Sequence, residues 1–357
     1  MSVQSYKREL DVAALAVQRA ALATKLILGS MDKGAISKSD DSPVTVADFA
    51  AQALLISAIH NVFPDDTFVG EESSTALREN QSLLERVWAL VHSIRLEDAE
   101  SETILGHIKS PAEMLDVIDL GGNGLGGGTG RVWMLDPVDG TATFMRGEQY
   151  AVCLGLVEDG DQKVGVLGLP NLKPGSEAIS ENVVDSQGHG IMLSAVRGQG
   201  AYSRVMSSGG LADAQAIQIR TNVTNPDKIH AINQRGDTMD VSRHRLVAEK
   251  LGADWPGTEL WAAQVRYSAL AIGGGDFLVR IPLKPGKRVN TWDHIGGILI
   301  VEESGGKVTD LNGKAIDFGT GRKLSANFGI VAARADIHAM VLKVVGEVIG
   351  DSASTDV

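Results

Sequence analysis

Between residues 132 and 196 the chain carries four apolar runs of strand length: Val132–Leu135, Tyr150–Val157, Lys163–Leu169 and Ile191–Val196. Gly, Asp and Pro turn signals separate the last three, which predicts antiparallel neighbours in one sheet. After about residue 205 the pattern changes. Strand-like segments near 215–220, 229–233, 277–281 and 329–333 alternate with helical ones near 241–251, 292–304 and 335–349, an α/β pattern. A soft boundary near 205 follows, with an α+β part over 1–205 and an α/β part over 206–357. A length of 357 residues suits such a two-part molecule better than one small core.

Upstream, Leu10, Ala14, Val17, Ala21 and Leu26 keep helical spacing and predict a helix over 5–31. A second helix is expected over 46–62, led by Thr45, and a third over 79–96. A short strand is expected around Thr67–Val69. The polar segment Lys38–Pro43 reads as a loop, residues 97–120 give no clear element, and 121–130 reads as a low-complexity loop. No repeat of fixed period is present.

The chain is 43% hydrophobic and 22% charged, a folded rather than a disordered composition. Its net charge of −12, with no basic run, argues against a nucleic-acid polymer as partner. An anionic small molecule remains compatible if bound cations supply local positive charge. The single cysteine, Cys153, rules out a disulfide within the chain and lies in an apolar run, where a small buried side chain is expected. The N-terminal MSVQSYKREL has no apolar signal core, and no stretch reads as a membrane span, so a soluble, cytoplasmic monomer is expected.

Four familiar motifs are excluded. GGNGLGGGTG lacks the strand before it and the helix after it that a dinucleotide fingerprint needs; a strand signal follows instead. No Gly-Lys pair precedes Ser or Thr, and no G-x-S-x-G elbow occurs. The eight histidines contain no i, i+4 pair, against a helical zinc site.

The informative segment is Trp133-Met134-Leu135-Asp136-Pro137-Val138-Asp139-Gly140-Thr141. A strand delivers Asp136, Pro137 cannot donate to a ladder, and Gly140 permits a tight turn. Asp136 and Asp139 can then converge. Two carboxylates in a poorly solvated cleft raise each other's pKa, and a hard divalent cation relieves the repulsion. Oxygen-only ligands, the Val138 carbonyl among them, favour magnesium over zinc. Taken alone, D-P-x-D-G is equally a surface turn. Two more acidic sites shift the balance: Gly70-Glu71-Glu72-Ser73 after a strand, and Trp292-Asp293-His294 before an apolar run. Each alone is explained by an acidic loop or an acid at a helix start. Asp48, three residues after Thr45, also fits a helix-capping pattern.

Together these motifs resemble the lithium-sensitive phosphomonoesterases of the inositol monophosphatase superfamily, whose signature combines G-E-E, D-P-x-D-G-T and W-D in this order. Within it the chain is most similar to the fungal 3′(2′),5′-bisphosphate nucleotidases. Further similar stretches are Asp41–Thr45, Asp48–Gln52, Phe63–Asp66, Arg146–Leu154, Pro170–Leu172, Ala195–Gly198 and Arg280–Lys284, so the resemblance spans nearly the whole chain. It implies a layered α-β-α-β-α sandwich with the site between a larger N-terminal and a smaller C-terminal part.

The resemblance also implies a chemistry: magnesium-dependent removal of the 3′-phosphate of adenosine 3′,5′-bisphosphate, and of its sulfated form, linked to sulfur assimilation and salt tolerance. Glu71, Asp136 and the Val138 carbonyl would hold one Mg2+, and Asp136, Asp139 and Asp293 a second. A third, weaker ion near Glu71 and the Lys38–Asp41 loop is a further implication, as is inhibition by Li+ and by Na+. Thr141 would position the attacking water, with Asp48 as the base behind it. The Gly140 and Thr141 amides would contact phosphate. Arg266 and Arg280 would meet the 5′-phosphate or base, Arg266 standing where the family usually has Lys. Two departures concern substrate contacts. Ala142-Thr143-Phe144 stands where many relatives carry Lys-Gly-Phe, with Arg146 as partial compensation. Asp237 lies near the place of an adenine-contacting His. Rival expectations are an inositol phosphate phosphatase of the same superfamily and a non-catalytic nucleotide or metal sensor.

Overall fold

A computed structural model describes residues 5–29, 36–37, 43–44, 46–122, 126–219, 228–234, 239–284 and 286–353. The chain opens with α1 (Lys7–Gly29), the short antiparallel pair β1 (Ile36–Ser37) and β2 (Pro43–Val44), and α2 (Val46–Val62). β3 (Thr67–Gly70) leads into α3 (Thr75–Glu79), α4 (Gln81–Ser93), α5 (Ala99–Leu105) and α6 (Pro111–Gly122). Then come β4 (Arg131–Asp139), α7 (Thr141–Arg146), β5 (Ala151–Glu158), β6 (Asp161–Leu169), β7 (Ile191–Val196), β8 (Ala201–Val205) and β9 (Gln215–Ile217). The rest is β10 (Ala231–Gln234), α8 (Val241–Lys250), β11 (Thr258–Leu260), α9 (Ala263–Ala271), β12 (Phe277–Arg280), α10 (Ile295–Glu303), β13 (Gly306–Thr309), a 3-10 turn at Phe318–Thr320, β14 (Ile330–Arg334) and α11 (His338–Ala353).

Two large sheets result. The first has seven strands in sequence order from β3 to β9, with β3 and β4 parallel and the rest antiparallel. The second runs β11-β10-β12-β14-β13 and mixes parallel and antiparallel pairs. Three cores stack through the molecule. One lies between α1, α2 and the first sheet, a second holds α9 and α10 between the sheets, and a third lies between the second sheet, α8 and α11. This is the expected layered α-β-α-β-α sandwich.

The alternation along β4 shows why its sequence reads as a continuous apolar run. Trp133 and Leu135 enter the first core while Val132 and Met134 enter the second, so both faces are covered. The outer helix α1 is long and apolar enough to cross a membrane by length and composition, contrary to the sequence expectation. Val12–Val17 and other residues of α1 are buried against α2 and the first sheet, as in the core helix of a layered fold.

Other expectations shift at their edges. The helix expected over 79–96 is broken at Asn80, whose extended backbone (φ −132°, ψ 96°) lets its side chain accept from the Leu83 N–H at 3.1 Å and start α4. The sequence pattern assigns the segment near 215 to the second part, but β9 completes the first sheet, which therefore continues past residue 205. Helix α9 was not foreseen, because buried Gln264, Arg266 and Ser268 interrupt any apolar stripe.

Candidate active site

The carboxyl ends of β3 and β4 set the site's first two acids side by side. The two strands are parallel and Gly70 pairs with Leu135, so Glu71 and Asp136 follow at the same level. β4 does not stop at Asp136, as the turn reading supposed. It continues to Asp139 across a bulge, with Asp136 opposite Cys153 and Asp139 opposite Ala151. Pro137 sits in the bulge, where its missing N–H disrupts no ladder. The Val138 N–H turns back to the Asp136 Oδ1 at 3.1 Å. Gly140 then takes a left-handed conformation (φ +94°), and a Cβ there would stand 2.6 Å from the Thr143 Oγ1.

Helix α2 contributes from below. Asp48 lies in its first turn and is fully buried, and Gln52, one turn later on the same face, is fully buried too. The Gln52 side chain accepts from the Glu72 N–H at 2.9 Å and donates to the Glu72 carbonyl at 2.7 Å and the Ile118 carbonyl at 3.1 Å. It fixes the backbone just after Glu71. Thr45, read as the cap of this helix, and the Lys38–Asp41 loop lie outside the described residues.

The second half of the chain completes the acidic cluster. Asp293 stands between Trp292 and α10. Asp139 accepts from the Ala263 N–H at 3.2 Å and the Gln264 N–H at 2.5 Å, both at the start of α9. The Gln264 side chain donates to the Trp292 carbonyl at 3.0 Å and the Cys153 Sγ at 3.2 Å and accepts from the Gly297 N–H at 2.8 Å. Asp139, α9 and the Asp293 segment are thus one hydrogen-bonded unit. Cys153 is buried as expected, and burial pushes its thiol pKa well up, away from nucleophilic use.

The electrostatics mark this cluster off from the rest of the molecule. Burial, then the negative charges of Glu71, Asp139, Asp293 and Asp48, hold the Asp136 carboxyl well above the usual range. Burial pushes Asp293 up to about 8, with Asp139 and Glu71 adding to it. Asp139 rises to about 6, again mainly through burial, with its two amide donors and Arg266 pulling the other way. Among the described residues no three Asp, Glu, His or Cys side chains already converge at coordinating distance. The acids are grouped by charge and position, and Asp139 is held by the α9 amides. Their donor set, all oxygen and mutually repelling in a buried cleft, fits a hard divalent cation.

The two arginines are not surface charges. Arg266 is buried and donates to the Leu260 carbonyl at 3.1 Å and the Trp261 carbonyl at 2.6 Å. Burial first, then Arg280, lowers its pKa to about 10, and Asp139 opposes that. Arg280 donates to the Gln234 Oε1 at 3.0 Å, and its buried Nε has no acceptor among the described residues. Burial lowers Arg280 as well, while Asp293 favours its charge. The Thr141 hydroxyl, expected to face Asp48, has the Val138 carbonyl as acceptor at 3.3 Å, a long contact. Donation to Asp48 requires that contact to be exchanged. Asp237 lies outside the described residues. Sequence reasoning missed Gln52 and Gln264 as parts of the site; a lone buried glutamine carries no local signal, since its partners are distant in the chain.

The sequence matches the inositol monophosphatase family over residues 7–349. The chain is 45% identical to a 3′(2′),5′-bisphosphate nucleotidase of Emericella nidulans, covering 97% of this chain and 99% of that one. It is 39% identical to the protein of the same name from Schizosaccharomyces pombe, covering 95% of each. Among solved structures, the IMPase of Thermotoga maritima superposes with a TM-score of 0.59 at 20% identity, covering 96% of this chain and 99% of that one. CysQ from Bacteroides thetaiotaomicron, described as a bacterial member of the inositol monophosphatase family, gives 0.59 at 16% identity, covering 92% and 98%. The chain belongs to the inositol monophosphatase family.

Proposed function

From membership of that family we infer that the chain is a phosphoric monoester hydrolase of the 3′(2′),5′-bisphosphate nucleotidase type. We propose adenosine 3′,5′-bisphosphate as its substrate and the 3′-phosphate as the group released. The sulfated analogue is a second substrate of the same chemistry. The carrying observation is one cluster in which charges of both signs act on one another, an acidic wall and a cationic one. Glu71, Asp136, Asp139 and Asp293 form the acidic wall, and Arg266 and Arg280 stand close enough to stabilise the charges of Asp139 and Asp293. A ligand with two phosphates uses both walls, one phosphate cleaved and one held.

Glu71, Asp136, the Val138 carbonyl, Asp139 and Asp293 would hold two magnesium ions, with a third, weaker ion near Glu71. When bound, magnesium neutralises phosphate charge and lowers the pKa of water. Thr141 orients the attacking water by its hydroxyl. Asp48, buried beneath, takes the proton as the new P–O bond forms. The bond from phosphorus to the 3′-oxygen breaks in line, and that oxygen takes a proton from solvent. Gly140 and Thr141 open α7, whose first N–H groups have no acceptor inside the helix and suit phosphate oxygens. Arg280 holds the second phosphate through donors its own fold leaves unused. Lithium, and with it sodium, competes for the acidic wall.

Phosphate release from adenosine 3′,5′-bisphosphate and from inositol 1-phosphate, with magnesium and with or without lithium, tests this reading. Strong preference for the nucleotide, lost in lithium, is expected. Preference for the inositol ester would remove the nucleotidase assignment, and release from neither would favour a binding role.

A further inference from the structure

The glycine-rich segment and Arg322 take no part in the chemistry above, yet they meet. Gly126 lies at φ +106°, and a Cβ there would stand 2.2 Å from the Cα of Gly321, itself at φ +106°. A Cβ on Gly128 would stand 3.0 Å from the Gly319 carbonyl oxygen. Only backbone without side chains lets the two loops approach so closely. Gly126 and Gly128 therefore form a seat for the 319–321 loop of the other half of the chain.

The residue after that loop reaches back across the cleft. Arg322 donates to the Gly70 carbonyl at 2.7 Å and to the Gly121 carbonyl at 3.1 Å. Its guanidinium lies 4.6 Å from the centroid of the Trp292 ring. Its own carbonyl accepts from the Thr291 N–H at 3.0 Å and the Thr291 hydroxyl at 3.3 Å. Gly70 is followed by Glu71, and Trp292 by Asp293. One residue thus joins the segments that carry two acids from different parts of the fold.

We propose that Arg322 is a positioning residue: through Gly70 and Trp292 it sets the separation of Glu71 and Asp293, and so the affinity of the acidic wall for a divalent cation. The proposal rests on reading that wall as a metal site. Lysine at this position keeps the charge but lacks the planar fork that serves two carbonyls and stacks on an indole.

Titration calorimetry of the full chain with magnesium, and with manganese as a second probe, tests it alongside melting in EDTA. Arg322→Ala is expected to weaken cation binding by about tenfold to a hundredfold, the range for groups that orient metal ligands. Arg322→Lys is expected to restore part of it. Gly126→Ala, which displaces the loop without touching Arg322, is expected to shift binding in the same direction. The control is Arg197→Ala, which breaks the 2.7 Å ion pair to Glu302 at the far end of α10 and should leave binding unchanged. If Arg322→Ala does not fold, Arg322→Lys and Arg322→Gln carry the test. Wild-type cation affinity in the Arg322 variants would overturn the proposal. So would an equal loss in Arg197→Ala at equal loss of melting temperature. Intact magnesium binding without phosphate release would overturn the functional reading alone; a wild-type chain that binds no divalent cation would overturn both.

Discussion

The acidic wall comes from short stretches at element ends: Glu71 after β3, Asp136 and Asp139 about a bulge in β4, and Asp293 just before α10, with Asp48 in the first turn of α2 beneath. The cationic wall takes Arg266 from the middle of α9 and Arg280 from the last position of β12. On the acidic side, backbone geometry places the charge, and Asp136, Asp139 and Asp293 are left with cost from burial and repulsion. On the cationic side, tertiary contacts place the charge, and Arg266 is largely consumed by them. The first wall is suited to a shared phosphomonoesterase chemistry and the second to choosing which phosphomonoester is held. This division of labour can be broken from either side.

The largest effect is expected from Asp136→Asn. Phosphate release should fall on the order of a thousandfold for every substrate, the scale for losing a charge that stabilises the transition state. Melting in EDTA should not fall, because a buried, repelled carboxyl has been neutralised. A large drop in melting temperature would show that the acid stabilises the fold.

The walls should respond to acid with opposite signs. His244, buried beside Arg280's strand, accepts from the Ile281 N–H at 2.9 Å, and burial lowers its pKa to about 4. The unfolded chain takes up that proton near 6.5, so stability falls as pH drops from 6.5 toward 4, by roughly 3 kcal/mol. His244→Gln should flatten that loss in urea unfolding. Asp293 runs the other way. Its folded pKa of about 8 exceeds the unfolded value, so without metal its burial penalty is relieved as pH falls through 8 toward 4. Asp293→Asn should remove that gain.

The smallest expected effects separate the arginines. Arg266→Met leaves two buried carbonyls unsatisfied and should cost about 2 to 3 kcal/mol of stability by urea unfolding. Arg280→Met should leave stability nearer wild type and raise KM for the nucleotide. If the two variants behave alike, the assignment of one to the fold and the other to substrate is wrong.

The difference between the walls also explains what the sequence reveals. G-E-E, D-P-x-D-G-T and W-D are legible because the positions they need are local: an end of a strand, a bulge that takes proline, a glycine at φ +94°. Strands β5, β6 and β7 are legible because turn residues separate them. Helix α9 is not, since Gln264 and Arg266 sit on it as buried polar groups that interrupt its apolar stripe, and the partner of Gln264, Trp292, lies far along the chain. The role of Gly126 and Gly128 is hidden likewise, because their neighbours are Gly321 and Gly319. Gln52 shows the limit most plainly: a residue inside a correctly expected helix whose work is to hold Glu72, twenty positions away.

The most direct test of the two-wall account is kcat/KM for adenosine 3′,5′-bisphosphate and for inositol 1-phosphate, measured on the wild-type chain and on Arg280→Met. The account predicts a wild-type preference for the nucleotide that shrinks in the variant by about tenfold to a hundredfold, the value of a hydrogen-bonded charge, with the inositol ester unaffected. Equal losses on both substrates, or no loss on the nucleotide, would contradict it.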